Sequence, residues 1–176
     1  ENRTLASYTY ASHNGVLTKM TYGNGNSIGY GYDNLERVTN VYYNNSNNAA
    51  LSYTYWGEGP LKQLTDSDNN RTYAYTYDSL NRLAGMTEKH NGTTVQTYNA
   101  TYDNANRITR HYYEVSPSWN GTLNNGSAYT YTYRSSDGAL TNFNPPGSGS
   151  YVYSYDALKR LTQSDMNRHG SVFLRR

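Results

Sequence analysis

The chain of 176 residues carries a formal charge of only +2 and no run of Lys or Arg longer than Arg175-Arg176, which excludes the concentrated basic face of a nucleic-acid binder. It has no cysteine, which removes disulfides, thiolate catalysis and Cys-based metal sites, and no stretch approaches the roughly 20 apolar residues of a membrane-spanning helix. Only 35% of residues are apolar, and 22 tyrosines stand against two Phe and two Trp, so the rings available for packing nearly all carry a hydroxyl that needs a hydrogen-bond partner.

Taken in order along the chain, the last tyrosine of a Tyr-Xaa-Tyr pair, with Tyr102 in Ala100-Thr101-Tyr102 at the equivalent place, forms a ladder: Tyr10, Tyr32, Tyr55, Tyr77, Tyr102, Tyr133 and Tyr155, spaced by 22, 23, 22, 25, 31 and 22 residues. An apolar residue follows each at an offset of six or seven: Leu17, Val38, Leu61, Leu83, Ile108, Leu140 and Leu161. In five of the seven units the next residue is Thr, at positions 18, 39, 109, 141 and 162. Self-similarity at a fixed period is the signature of a repeat array. A single array over 1–176 is expected.

Within each unit the period is two, which predicts strands. Leu51, Tyr53 and Tyr55 alternate with Ser52 and Thr54, and the triplets at Tyr73–Tyr77, Tyr129–Tyr133 and Tyr151–Tyr155 alternate with small residues in the same way. Each such strand presents rings on one side and small groups on the other. A second strand leaves the apolar residue, as in Leu17–Tyr22 and in Val38 to Tyr42. Turn residues separate the strands at Gly23 to Asn26, Asn44 to Asn48, Asp68 to Asn70, Asn91-Gly92, Asn124 to Gly126 and Pro145 to Gly149. The glycines are expected where turns need positive φ. The rings are expected to stack as cross-strand ladders, with exposed sugar-stacking platforms or dityrosine donors as the alternative.

These residues carry a family resemblance. Tyr30-Gly31-Tyr32-Asp33-Asn34-Leu35-Glu36-Arg37-Val38 resembles the YD (Rhs) repeat, as do Tyr75-Thr76-Tyr77-Asp78 through Arg82-Leu83, Tyr102-Asp103 through Arg107-Ile108, and Tyr153-Ser154-Tyr155-Asp156 through Arg160-Leu161. The units at Tyr10, Tyr55 and Tyr133 depart from it with a glycine turn ending in Gly15-Val16-Leu17, Gly59-Pro60-Leu61 and Gly138-Ala139-Leu140. The resemblance implies an all-β, solenoid-like strip or spiral of about seven tandem antiparallel hairpins, of the kind that walls off a hollow shell in Rhs elements, in the C components of Tc toxins and in teneurins. The sequence holds no Asp-Pro-Xaa-Gly-Leu segment, so self-cleavage is not carried over.

Asp33, Asp78, Asp103 and Asp156, each followed four residues later by Arg37, Arg82, Arg107 or Arg160, could be read as acid–base pairs. Their recurrence favours a structural role, since Asp closes turns through its own backbone. The histidines His13, His90, His111 and His169 share no ligand spacing, and neither a nucleophile elbow nor a phosphate-binding glycine loop occurs. No catalytic residue, metal or cofactor is expected. Seven Asn-Xaa-Ser/Thr sequons stand at Asn2, Asn44, Asn70, Asn91, Asn99, Asn120 and Asn125, against roughly five expected by chance from the composition, and are candidates for glycosylation.

The expectation is a structural extracellular or cell-surface element, either a self-assembling filament protomer or a wall segment of a larger shell. Its partners would be other copies, the rest of a longer chain, or glycans. The alternative is a carbohydrate-binding or adhesion module using exposed Tyr, Trp56 or Trp119. Beginning at Glu1 without an apolar leader, the chain is expected to be a processed product or an excerpt, with both ends held by neighbours.

Overall fold

In the computed structural model, residues 4–116 and 128–167 are described. They form fourteen strands: β1 (Ala6–Tyr10), β2 (Leu17–Tyr22), β3 (Ser27–Tyr32), β4 (Val38–Tyr43), β5 (Leu51–Tyr55), β6 (Leu61–Asp66), β7 (Arg71–Tyr77), β8 (Leu83–His90), β9 (Thr93–Tyr102), β10 (Ile108–Val115), β11 (Tyr129–Tyr133), β12 (Leu140–Asn144), β13 (Ser150–Tyr155) and β14 (Leu161–Asn167). All lie in one sheet in sequence order, each antiparallel to the next. Strict alternation makes this the natural outcome: every strand finds its partner one turn away, and no crossover is needed. The described residues contain no helix.

In every hairpin the register slips by one residue at the same place. Tyr10 lies opposite Leu17 while Thr9 lies opposite Lys19, which leaves Thr18 as a bulge. Thr39, Lys62, Ala84, Thr109, Thr141 and Thr162 occupy the equivalent position in the other hairpins. The recurrent Thr therefore has a physical reason. Thr18 and Thr141 donate their hydroxyls to the carbonyls of Thr9 and Thr132, each at 3.1 Å, satisfying a group at the break in the ladder. A bulge also increases local twist, and this one recurs at the same place in all seven hairpins.

Register separates two faces. One carries Tyr8, Met20, Ile28, Tyr30, Val41, Leu51, Tyr53, Leu64, Tyr73, Tyr75, Met86 and Tyr98; the other carries Thr9, Lys19, Asn40, Ser52, Gln63, Thr76 and Asn99. No second layer among the described residues covers either face. The most buried apolar side chains are Val41, Ala50, Val95 and Ala100, at 4–8% exposure, and none of the large ones is fully buried. Most of the apolar face is half-buried by its own neighbours.

Two expectations need correction. The rings do not form one continuous ladder. In the first half of the strip tyrosines face aliphatic partners, as in Tyr8 opposite Met20, Tyr30 opposite Val41, Tyr53 opposite Leu64 and Tyr75 opposite Met86. Ring-on-ring packing runs through β9–β13, with Tyr98 and Tyr113 4.9 Å apart, His111 and Tyr129 4.8 Å, Tyr131 and Phe143 5.1 Å, and Phe143 and Tyr151 5.9 Å. Nor is glycine reserved for positive φ. The Asp-type turns place Glu36, Asn81, Asn106 and Lys159 in the left-handed region, with φ between 58° and 63°, while Gly85 sits in a strand where a Cβ would come within 2.7 Å of Thr76 Oγ1.

The turns form two rims. The offset inside a unit, from reference tyrosine to apolar residue, is six or seven residues throughout, so nearly all variation in repeat length lies on the other side, between units. That second rim uses asparagine and glycine for its left-handed positions: Asn44, Asn45, Asn70 and Asn91 have φ of 49–60°, and Gly25, Gly92 and Gly147 have φ of 67–88°.

Glu36 is a β-carbon residue in a conformation that costs L-residues about 1–2 kcal/mol. Glu36→Gly is expected to raise the stability measured by urea unfolding by about 0.5–1 kcal/mol, after allowing for the extra backbone entropy of glycine, and Glu36→Val is expected to lower it. Equal midpoints for the two variants would show that this turn carries no conformational strain.

Candidate functional site

The chemistry-bearing residues of the repeat meet at the joint between one unit and the next. In the Asp-type turn, Asp33 Oδ1 accepts from the backbone N–H groups of Leu35 and Arg37 at 2.9 and 3.0 Å, and Oδ2 accepts from Arg37 Nε at 2.8 Å. The backbone N–H of Asp33 donates to the Arg37 carbonyl and that of Glu36 to the Asp33 carbonyl. Asp78 with Arg82, Asp103 with Arg107 and Asp156 with Arg160 repeat this arrangement, with Nε–Oδ2 distances of 2.7 Å. A short acceptor side chain folding onto the two N–H groups ahead of it closes the turn; the guanidinium then holds the other carboxylate oxygen.

The same arginines reach onward. Arg37 lies over the ring of Tyr55 at 4.3 Å, Arg82 over Tyr102 at 4.7 Å, and Arg107 over Tyr133 at 4.4 Å. Arg37 Nη1 also donates to the Gly59 carbonyl, and Arg82 Nη1 to the Asp103 carbonyl and Asn106 Oδ1. At Gly138 a Cβ would meet Arg107 Nη1 at 2.5 Å, and φ is 78°, so this glycine answers both to its turn and to its neighbour's arginine.

At six of the reference tyrosines, with or without an arginine over the ring, the hydroxyl reaches back to the preceding unit. Tyr32 donates to the Leu17 carbonyl at 2.6 Å, Tyr55 to Val38 at 2.7 Å, Tyr77 to Leu61 at 2.9 Å, Tyr102 to Leu83 at 2.8 Å, Tyr133 to Ile108 at 3.0 Å and Tyr155 to Leu140 at 2.9 Å. The acceptor is in each case the apolar residue that precedes the bulge. Strand pairing across the joint keeps one register: the residue three beyond the apolar position faces the residue four before the next reference tyrosine, as Met20 and Ile28, Val41 and Leu51, Leu64 and Tyr73, Met86 and Tyr98, His111 and Tyr129, and Phe143 and Tyr151.

The glycine turns replace the clamp in three ways. At Tyr133, Arg134 forks onto Asp137 at 2.8 and 2.6 Å and lies 5.6 Å from the Tyr155 ring; the pair is the Asp–Arg lock with its order reversed. At Tyr55, Trp56 donates its indole N–H to the Tyr75 carbonyl at 3.4 Å, beneath the Lys62 ammonium. At Tyr10 the equivalent residue is Ala11, and a hollow of about 460 Å³ opens between that turn and Tyr32 and Asp33.

Electrostatics follow the contacts. The side-chain bonds of Arg37 and Arg107 hold Asp33 and Asp103 below the usual carboxylate range. At Asp78 partial desolvation pushes upward, but the backbone and side-chain bonds from Arg82, with that from Leu80, together lower it. The backbone N–H and then the side chain of Arg160 lower Asp156. The Arg134 side chain lowers Asp137 further still. Partial burial raises Tyr32, Tyr53, Tyr75, Tyr77, Tyr98, Tyr131 and Tyr133.

Of the sequon asparagines, Asn44, Asn70 and Asn91 are exposed on the inter-unit rim, whereas Asn99 is half-buried within β9. Asn2, Asn120 and Asn125 lie outside the described residues, as do Trp119, His169 and the expected turn at Asn124 to Gly126. Among the described residues no three of His, Cys, Asp and Glu gather as a metal site would require. Among the described residues no helix is long and apolar enough to cross a membrane.

This geometry defines a class: a single-layer strip of β-hairpin repeats, each stapled to the one before. Residues 55–94 match the family model described as RHS Repeat, so that part of the chain carries a repeat of this YD (Rhs) type. Solved structures share the fold. They include a crystal structure of TcdB2-TccC3-TEV (TM-score 0.71, 18% identity) and the Tc holotoxin pore of Photorhabdus luminescens with a TccC3 mutation (0.70, 18%), each over 93% of this chain. The chain spans about 9% of the length of those chains. No curated protein matches it.

Two outcomes are expected. Tyr102→Phe keeps the ring under Arg82 and removes only the hydroxyl, so unfolding free energy should fall by about 0.5–1.5 kcal/mol, while Tyr10→Phe, with no earlier unit among the described residues to bond, should leave the monomer unchanged; equal losses would mean the staple is not the cause. Stability should also be flat from about pH 5 to 9 and decline on both sides. The lowered aspartates contribute stability present above their unfolded values and lost as pH falls through the folded ones; the raised tyrosines contribute stability present below about pH 10 and lost as pH rises beyond it. Urea midpoints across pH measure this, and Asp78→Asn should blunt the acid limb.

Proposed function

We propose that the chain is a structural extracellular element and not an enzyme: a length of β-strip that serves as a filament protomer or as part of the wall of a larger Rhs-type shell. The observation that carries this reading is the hydroxyl-to-carbonyl staple repeated at six successive joints in one register. An array built on one nearest-neighbour contact gains stability unit by unit and extends without redesign. In five of the seven units the turn carboxylate (Asp33, Asp78, Asp103, Asp137, Asp156) is committed to turn N–H and guanidinium groups, an economical use for a scaffold and a poor one for catalysis. Kinship of fold with Tc toxin components, of which the chain spans a small fraction, supports a structural role in an assembly of Rhs-type chains, secreted or displayed at the cell surface. Glycans fit the same reading, because Asn44, Asn70 and Asn91 put their side chains at one rim, clear of the joints.

Electron microscopy of the native material tests the reading directly. Continuous thin strips, filaments or the wall of a hollow particle are expected; compact globules that bind a small molecule in a pocket would overturn it. Removing residues 33–55, one whole repeat, should leave a folded, shorter strip with a lower unfolding free energy, as a nearest-neighbour array predicts, and collapse of the whole fold would contradict it. In protein secreted through a glycosylating pathway, peptide mapping should find sugar at Asn44, Asn70 and Asn91 and none at Asn99; an unmodified rim would remove glycans from the proposal.

A further inference from the structure

The joints differ in what lies over the reference tyrosine. Arg37, Arg82 and Arg107 cover the rings of Tyr55, Tyr102 and Tyr133, and Arg134 lies 5.6 Å from that of Tyr155. Among the described residues no cation lies over the Tyr32 ring, and the hollow of about 460 Å³ opens there. Two residues account for this. The turn after Tyr10 has the backbone of the turn after Tyr133: Ala11 N–H donates to the Val16 carbonyl at 2.9 Å and Gly15 N–H to the Ala11 carbonyl at 3.0 Å, as Arg134 does to Ala139 and Gly138 to Arg134, each at 2.8 Å. Ala11 and Asn14 stand where Arg134 and Asp137 form their pair. The hollow is lined by this turn, β2, β3 and the turn after Tyr32, with no residue of either outer strand.

The groups that receive a guanidinium elsewhere are in place around this hollow. Above Tyr102, Arg82 Nη1 donates to the Asp103 carbonyl at 2.8 Å and to Asn106 Oδ1 at 2.9 Å. Asp33 and Glu36 hold those two positions relative to Tyr32, in a turn closed the same way: Glu36 N–H donates to the Asp33 carbonyl at 3.1 Å, and Asn106 N–H to that of Asp103 at 3.2 Å. Tyr32, Asp33 and Glu36 all line the hollow. Glu36 is exposed and puts a carboxylate where the Arg82 joint has a neutral amide, and a charged acceptor binds a cation about twice as strongly. We propose that the hollow is a binding site for a guanidinium group, brought by an arginine side chain of another protein or by a free compound such as arginine. The guanidinium lies on the Tyr32 ring and donates to the Asp33 carbonyl and the Glu36 carboxylate. Its planar fork can stack and hydrogen-bond at once, which an ammonium cannot, and the volume falls within the roughly 300–1,000 Å³ of small-molecule sites. The site goes beyond the architectural reading and does not depend on whether the strip is a filament or a wall.

An NMR titration of the full chain with N-acetyl-arginine amide tests the site. Saturable shifts at Tyr32, Asp33 and Glu36 are expected, with a dissociation constant in the millimolar range, as suits one side chain on a partly open site. N-acetyl-lysine amide should bind more weakly. Glu36→Gly, which relieves its turn, should fold and weaken binding about tenfold, the effect of one lost hydrogen bond between charged groups. Ala11→Arg with Asn14→Asp rebuilds the Arg134–Asp137 pair beside Tyr32 and should abolish the shifts while raising the urea midpoint; Glu36→Gly carries the test if that double variant does not fold. Equal affinity for the blocked amide and for free arginine assigns the site to an arginine side chain of a protein, whereas tighter binding of free arginine assigns it to the small molecule. Equal binding of the lysine probe, undiminished binding in either folded variant, or no shift at these residues at tens of millimolar probe would each overturn the site.

Discussion

A tyrosine hydroxyl bonded to a carbonyl 15–25 residues earlier is the contact on which the strip depends. Backbone pairing alone would join any strand to any other with little preference for register. The staple selects one, because the hydroxyl reaches its acceptor only when the apolar residue and the next reference tyrosine stand at a fixed offset. The bulge helps by breaking the ladder beside that carbonyl, at the same place in every hairpin. This accounts for tyrosine in place of phenylalanine at the six stapled positions: phenylalanine would supply the ring for packing and leave the acceptor without a donor, a loss of the kind that partly buried polar groups rarely tolerate.

A sheet with one layer has no interior to rely on. Its apolar side chains are covered by those of adjacent strands, and stability accumulates along the strip in proportion to the number of joints. Arginine is suited to this setting. Its planar fork binds the carboxylate of its own turn through one edge while its face lies on the ring of the next unit, so a single side chain closes one turn and ties it to another. Lysine, a point charge, could do one of these at a time. Where the arginine is missing from its usual place, Arg134 or Trp56 bridges to the next unit from the residue after the reference tyrosine, and where Ala11 stands there a hollow remains.

Much of this was legible along the chain. The ladder of reference tyrosines, the apolar residue after each turn, the Asp–Arg pairs and the alternation within strands all appear as recurrences, and recurrences are what a linear reading detects. Contacts between units were not legible, because periodicity shows that Arg37 and Tyr55 recur without showing that they touch. The Thr after five of the seven apolar residues was visible as a pattern, but its meaning as the bulged residue needs the partner strand. Arg134 and Asp137 escaped notice because the lock is built in reverse order, and the left-handed Glu36 and Lys159 because neither residue type signals that conformation. The expectation of unbroken ring ladders overlooked Met20, Val41, Leu64 and Met86, which fill the facing positions with aliphatic bulk.

The two rims have unequal freedom. The turn from reference tyrosine to apolar residue never departs from six or seven residues, whereas the connection back to the next unit absorbs nearly every change in spacing, including most of the step of 31 residues between Tyr102 and Tyr133. Each strand advances the strip by about 4.8 Å whatever its length, so insertions at the asparagine rim make it broader or more ornamented without changing its pitch. Such a chain can diversify one margin while its partners along the axis still fit, much as a tape measure keeps its graduations when one border is trimmed or fringed.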